Sequence, residues 1–251
     1  MLSAISMKIT NNAYLTTLAL VGLLPIQLSA SDPIRPYSET GKSGNFNYAV
    51  YNNQWLLHGK KWTEEKHIKR VAITGVLATA KGKLVIPSSI EGLEVYGIDD
   101  NALKSCSGVT DIVIPKTIGF LKPGTLNRCQ GLKNIIIAED HPEFASVDGV
   151  MFDKNKTKLL AAGNGRDGHY EVPKTTTAIG PFAFSLCTNL KSVVIPESVT
   201  DIGGHTGGVF QGCKSLESIE IPESVTNIGQ KTFQDCSSLK KITIPSKVKA
   251  I

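Results

Sequence analysis

Five cysteines are the most chemically capable residues in this 251-residue chain: Cys106, Cys129, Cys187, Cys213 and Cys236. An odd number cannot complete a disulfide framework, and no C-x-x-C pair is present to hold zinc or run thiol exchange. The histidines, at 58, 67, 141, 169 and 205, have no second ligand at i+3 or i+4 and no H-E-x-x-H. A metal site is therefore not expected. Gly163–Gly168 spells G-x-G-x-x-G, whose glycines would let a pyrophosphate approach a helix N-terminus. The next residues, His169–Pro173, have a strand pattern stopped by proline, so the segment reads as a loop. No serine lies in a G-x-S-x-G elbow, and Asn155-Lys156-Thr157 is a glycosylation sequon that matters only in a eukaryotic source. No catalytic residue, cofactor or metal ligand is assigned, and no enzymatic activity is expected.

The cysteines gain their meaning from spacing. Prolines at 173, 196, 222 and 245 lie 23, 26 and 23 residues apart, and those at 87 and 115 are 28 apart. A unit of 23 residues thus recurs, with three extra residues within Gly203–Gly208 and five within Glu91–Gly97. Apolar residues return at fixed offsets: Val225, Ile228, Phe233, Cys236, Leu239, Ile242 and Ile244 in one unit, and Ile118, Leu121, Leu126, Cys129, Leu132, Ile135 and Ile137 in another. Every cysteine occupies the same slot. Seven buried side chains at about 1.5–3 kcal/mol each do not offset the ordering of a whole unit at about 1–2 kcal/mol per residue. The units must stack, each closing its neighbour's core. Rungs about 4.8 Å apart place equivalent cysteine Cβ atoms outside the ~3.5–4.5 Å that disulfides use, so a buried thiol ladder is expected.

The resulting fold class is a repeat solenoid, with a parallel β-sheet on one side and short helical or 3-10 turns on the other. Leu-x-x-[Val/Ile]-x-Ile-Pro supplies the strands, expected near residues 84–87, 110–114, 133–137, 191–195, 217–221 and 240–244. Phe-x-x-Cys-x-x-Leu, with its period of three, supplies the turns, and Ile-Gly at 202–203 and 228–229 the corners. The units IPESVTDI, TFQDCSSLKKITIP and IPSSIEGLEVYGIDDNALKSCSGVTDIVIP resemble BspA-like (Treponema-type) leucine-rich repeats over residues 84–251. HPEFASVDGVMFDKNKTKLLAAGNGRDGHYEVP is similar to that family's hairpin between repeats, an insertion at about 139–172. The chain departs from the pattern at Leu103 and Leu126, where phenylalanine is usual, and at Ala138, where proline is usual.

Residues 1–30 read as a signal peptide: Lys8, an apolar run from Ala13 to Leu24, Pro25 and a small-residue end at Ser29-Ala30-Ser31. Residues 31–44, rich in Ser, Gly and Pro, read as a linker, and residues 45–83 as an N-terminal β cap. With 41% hydrophobic and 20% charged residues and a net charge of +5, the composition excludes a disordered chain and announces neither nucleic acid nor a multi-pass membrane protein. His58–Arg70 carries Lys60, Lys61, Lys66, Lys69 and Arg70 around Trp62, softened by Glu64 and Glu65; the stretch reads first as a solvated loop or helix face and second as a patch for a polyanion.

Between the inward slots the strands turn residues outward: Asp111 and Val113, Asn134 and Ile136, Ser192 and Val194, Ser218 and Glu220, Lys241 and Thr243. They are expected to form columns on one continuous, shallow face suited to an extracellular protein or glycan. The family resemblance implies adhesion to host or neighbouring-cell macromolecules by a secreted or surface-displayed module. A structural stalk and a glycan-acting hydrolase with paired carboxylates are the other readings. Ile251 stops halfway round a rung, which implies either a longer array or self-association through the Lys240–Ile244 edge.

Overall fold

The computed structural model describes residues 37–52, 69–122 and 124–249. The signal-peptide reading lies outside them, as does the basic cluster around Trp62 except for Lys69 and Arg70, which pair with Glu39 and Glu94.

Alternation along each repeat becomes a strand with one dry side. In Asn189–Val194, Leu190 and Val193 are buried while Lys191 and Val194 face solvent. The proline at the end of each strand stops it and opens a turn in which the residue three further on donates to its carbonyl, as Val199 does to Pro196 and Val225 to Pro222. The chain then makes a two-residue strand at each Ile-Gly corner. Ala178–Ile179, Asp201–Ile202 and Asn227–Ile228 pair in parallel and continue a sheet that begins in the insertion. These corners are a second sheet rather than simple bends. The third side is the Phe-x-x-Cys-x-x-Leu turn. Cys187 N–H donates to Phe184 O and Leu190 N–H to Cys187 O, a 3-10-like pattern repeated at Phe210, Cys213 and Leu216. Only Leu126–Arg128 closes a formal 3-10 helix among the described residues, so the helical side is slight.

The long strands form two parallel three-stranded sheets. Lys81–Val85, Gly108–Ile114 and Asn134–Ile137 make the first, and Asp167–Glu171, Asn189–Val194 and Ser218–Glu220 the second. The expected continuous face is therefore broken. After Asn134–Ile137 the chain enters an antiparallel hairpin, Phe144–Val147 with Val150–Asp153, and then the strand Lys158–Ala161. Ile135 N–H donates to Gly149 O and Ile137 N–H to Ser146 Oγ, so the hairpin takes the bonds that a next rung would have used. Its own strands alternate between two cores: Met151 packs into the first, Val150 and Phe152 into the second.

The hairpin turns at Asp148 (φ 49°) and Gly149 (φ 73°), the two left-handed residues that an Asp-Gly type I′ turn needs. A Cβ on Gly149 would also overlap Asn134 Oδ1. Gly149→Ala is therefore expected to cost about 1–3 kcal/mol in a denaturant melt. Gly168 (φ 71°), with nothing near its virtual Cβ, should cost less on the same substitution.

Two other expectations need correction. Tyr37–Ser43, within the stretch read as linker, is a strand paired antiparallel with Phe46–Asn52. That second strand pairs with Lys69–Val76, which joins Leu93–Ile98 in parallel, and Tyr48, Val50, Val71 and Ile73 enter the first core. At the other end, Lys240–Ile244 forms no strand. Ser238 N–H to Lys214 O and Lys249 N–H to Thr226 O bracket a stretch without ladder bonds among the described residues. Leu239, Ile242 and Val248 still pack on the second core.

Candidate functional site

The pleat puts every other residue of each long strand on the outside. On the first sheet, register aligns Lys83, Asp111 and Asn134 in one column and Val85, Val113 and Ile136 in the next. Val85 is 55% and Ile136 38% exposed, so an apolar row lies open beside a polar one. Asp111 accepts Thr110 Oγ1 at 2.6 Å and Asn134 Nδ2 at 2.7 Å. These bonds, with Lys83 nearby, hold its carboxyl below the usual carboxylate range. Asp111 is thus an ionised acceptor whose partners are a hydroxyl and an amide, and it is not poised as a general acid.

On the second sheet the columns are His169, Ser192 and Ser218, then Glu171, Val194 and Glu220. Val194 is 50% exposed. Of the ten residues expected on the face, eight therefore lie on the outer sides of the two sheets, four on each. Lys241 and Thr243 are exposed but belong to no strand. Lys83, Val85, His169 and Glu171 join the face although spacing did not assign them. The pattern His-Tyr-Glu-Val-Pro was the available signal, since it is the same strand-then-proline ending as in the other repeats. The Lys133–Asp167 ion pair, 3.0 Å, spans from one sheet to the other.

His169 Nδ1 lies 2.7 Å from Ser192 Oγ, and its Nε2 3.6 Å from Glu171 Oε1. These are the residue types of a nucleophile–base–acid relay. The His169 side chain is 50% exposed and that of Glu171 77%, so the relay stands in water on an open sheet. There it is a surface cluster in which His169 and Ser192 share a hydrogen bond and Glu171 lies just beyond hydrogen-bond distance.

Gly163-Asn164-Gly165 serves packing. Cβ atoms on both glycines would overlap backbone of the Gly131–Leu132 stretch, and Gly165 N–H donates to Leu132 O. The loop returns the insertion to the stack instead of cradling a phosphate. Where it interrupts the turn side, two hollows of about 310 and 210 Å³ open, sharing Gly124. The first has Asp100, Asn127, Arg128 and Phe182 in its wall; the second has Leu121, Phe144, Met151 and Lys158. Among the described residues, no three of His, Cys, Asp and Glu converge as metal ligands.

Residues 83–159 and 168–251 match, in six copies, the family model described as the BspA type leucine-rich repeat region. No curated protein matches the sequence. Similar solved structures include a leucine-rich repeat protein from Eubacterium ventriosum, at 20% identity and TM-score 0.42 over 67% of this chain and 56% of that one. This chain therefore spans a little more than half of that protein's length. The pneumococcal vaccine antigen PcpA aligns at 16% identity and TM-score 0.49, covering 85% of this chain and 78% of PcpA. The T. pallidum leucine-rich repeat protein aligns at 24% identity and TM-score 0.40, covering 72% and 77%.

Proposed function

Because the chain belongs to the BspA-type leucine-rich-repeat family, we propose that it is a secreted or cell-surface binding module that attaches to an extracellular protein or glycan through the outer faces of its two long-strand sheets. The observation that carries this reading is the open apolar row Val85, Val113, Ile136 beside the polar row Lys83, Asp111, Asn134, in which Asn134 donates to Asp111. Adjacent apolar and polar columns on a rigid sheet offer contact area and orientation together. The signal-like residues 1–30 support export. Among the described residues no helix is long and apolar enough to cross a membrane.

The test is to array the chain lacking residues 1–30 against extracellular-matrix proteins and immobilised glycans. Two face variants are compared with it, Asp111→Lys with Glu220→Lys, and Val85→Asp with Ile136→Asp. Each pair is expected to weaken captured ligands by about tenfold or more while the melting temperature stays within a few degrees, since all four residues face solvent. Undiminished binding in both pairs, together with loss when Lys60, Lys61 and Lys66 are changed to Glu, would move the site to the N-terminal segment.

A further inference from the structure

We propose that His141 is a protonation latch that holds the inserted hairpin against the solenoid. The ring is fully buried, and both of its nitrogens are committed. Nδ1 accepts the backbone N–H groups of Glu143 and Phe144, each at 3.1 Å, while Nε2 lies 3.0 Å from Ile118 O in the preceding rung. Two donors aimed at Nδ1 leave it the acceptor role alone. The single proton of neutral imidazole therefore sits on Nε2 and is donated to Ile118. The ring also packs on Phe144 with centroids 4.9 Å apart. One side chain thus ties the entry of the hairpin, residues 141–144, to the stack.

A second proton can only go on Nδ1. That atom would become a donor facing two donors, losing two bonds and setting three N–H dipoles against one another in a dry site. Burial drives the imidazole below its ordinary range. The charged groups around it act in both directions: Glu143 and Asp140 favour the proton and Lys154 opposes it. Asp140 is held by Lys116 at 2.7 Å, and Lys154 Nζ donates to Glu139 O. With the folded value depressed, the docked hairpin keeps its full stability above about pH 6.5, the ordinary histidine value, and loses it as pH falls below that.

The latch holds more than its own loop. Gly149 O and Ser146 Oγ satisfy Ile135 and Ile137, and Phe144 and Met151 line the 210 Å³ hollow. Acid release uncovers a strand edge and apolar surface between the two halves of the solenoid.

Hydrogen exchange of the full chain at about pH 7.5 and about pH 5, corrected for intrinsic rates, tests this. Protection over residues 134–153 is expected to fall by about tenfold or more at the lower pH, while residues 184–220 hold theirs. In His141→Asn, the Oδ1 can accept the same two N–H groups as an Asx turn does and cannot titrate, so protection should be equal at both pH values. In His141→Ala the hairpin should be open at both. Protection in the native chain that ignores pH, a loss spread evenly over both halves, or the same acid loss in His141→Asn would each overturn the latch.

Discussion

Phe210→Ala is expected to cost about 3–5 kcal/mol of folding stability, the range for an aromatic removed from a packed interior. Phe210 is fully buried and stacked between Phe184 and Phe233, with ring centroids 5.3 and 5.6 Å away at interplanar angles of 10° and 9°. The flanking turns are locked at the same place, since Phe184 N–H donates to Val209 O and Phe210 N–H to Thr232 O. The cavity cannot collapse without dragging two ladders, and in a stacked array the loss reaches both neighbouring rungs. Phe233 is only partly buried, so its truncation should cost less, although its sequence slot is the same. Lys241→Ala, exposed and outside any strand, should stay within about 0.5 kcal/mol. Equal losses at Phe210 and Lys241 in urea melts would mean that inside and outside have been exchanged.

The thiol ladder yields the second large effect. Cys187 and Cys213 are fully buried, and their Sγ atoms donate to carbonyls of the preceding part of the stack, Gly163 O at 3.4 Å and Phe184 O at 3.1 Å. Burial pushes the Cys187 thiol from 9.0 up to about 12, and Cys213 rises in the same direction. Since the thiolate is the reactive form, the Cys187 shift alone lowers its reactive population roughly a thousandfold at about pH 8, before access is considered. A thiol reagent should find at most Cys236, the one half-buried cysteine, until denaturant opens the chain. Rapid native labelling of all five would contradict the ladder. The linkage has a definite sign. A thiol whose value is raised by folding contributes its stability below the unfolded value, and that contribution is lost as pH rises from about 9 through about 12.

Residue order alone determines whatever depends on local period. A slot that recurs at a fixed offset takes the same place in its rung, which is why Leu190, Val193 and Ile195 could be set inside and Val194 outside from the pattern, and why all five cysteines could be read as one repeat slot, although the structure divides them between the first core (Cys106, Cys129) and the second (Cys187, Cys213, Cys236). Membership of the repeat family rests on the same regularity. The insertion obeys no such period, and there only long-range contacts decide. Asp148-Gly149 announces a turn, but not that its carbonyl takes the N–H of Ile135, so the break in the outer face was invisible. The ion pair of Lys133 with Asp167 and the pairing of His169 with Ser192 join residues 34 and 23 positions apart. The first accompanies the returning loop, whose glycine backbone lies against Gly131–Leu132; the second follows the parallel register of Asp167–Glu171 with Asn189–Val194. Lys240–Ile244 shows the converse. It has the full strand alternation, yet a strand is held by bonds to neighbours, and here the alternation packs Leu239 and Ile242 on the second core without forming a ladder. His141 was one of five scattered histidines; only the tertiary structure surrounds it with two donors and a carbonyl and makes its proton count.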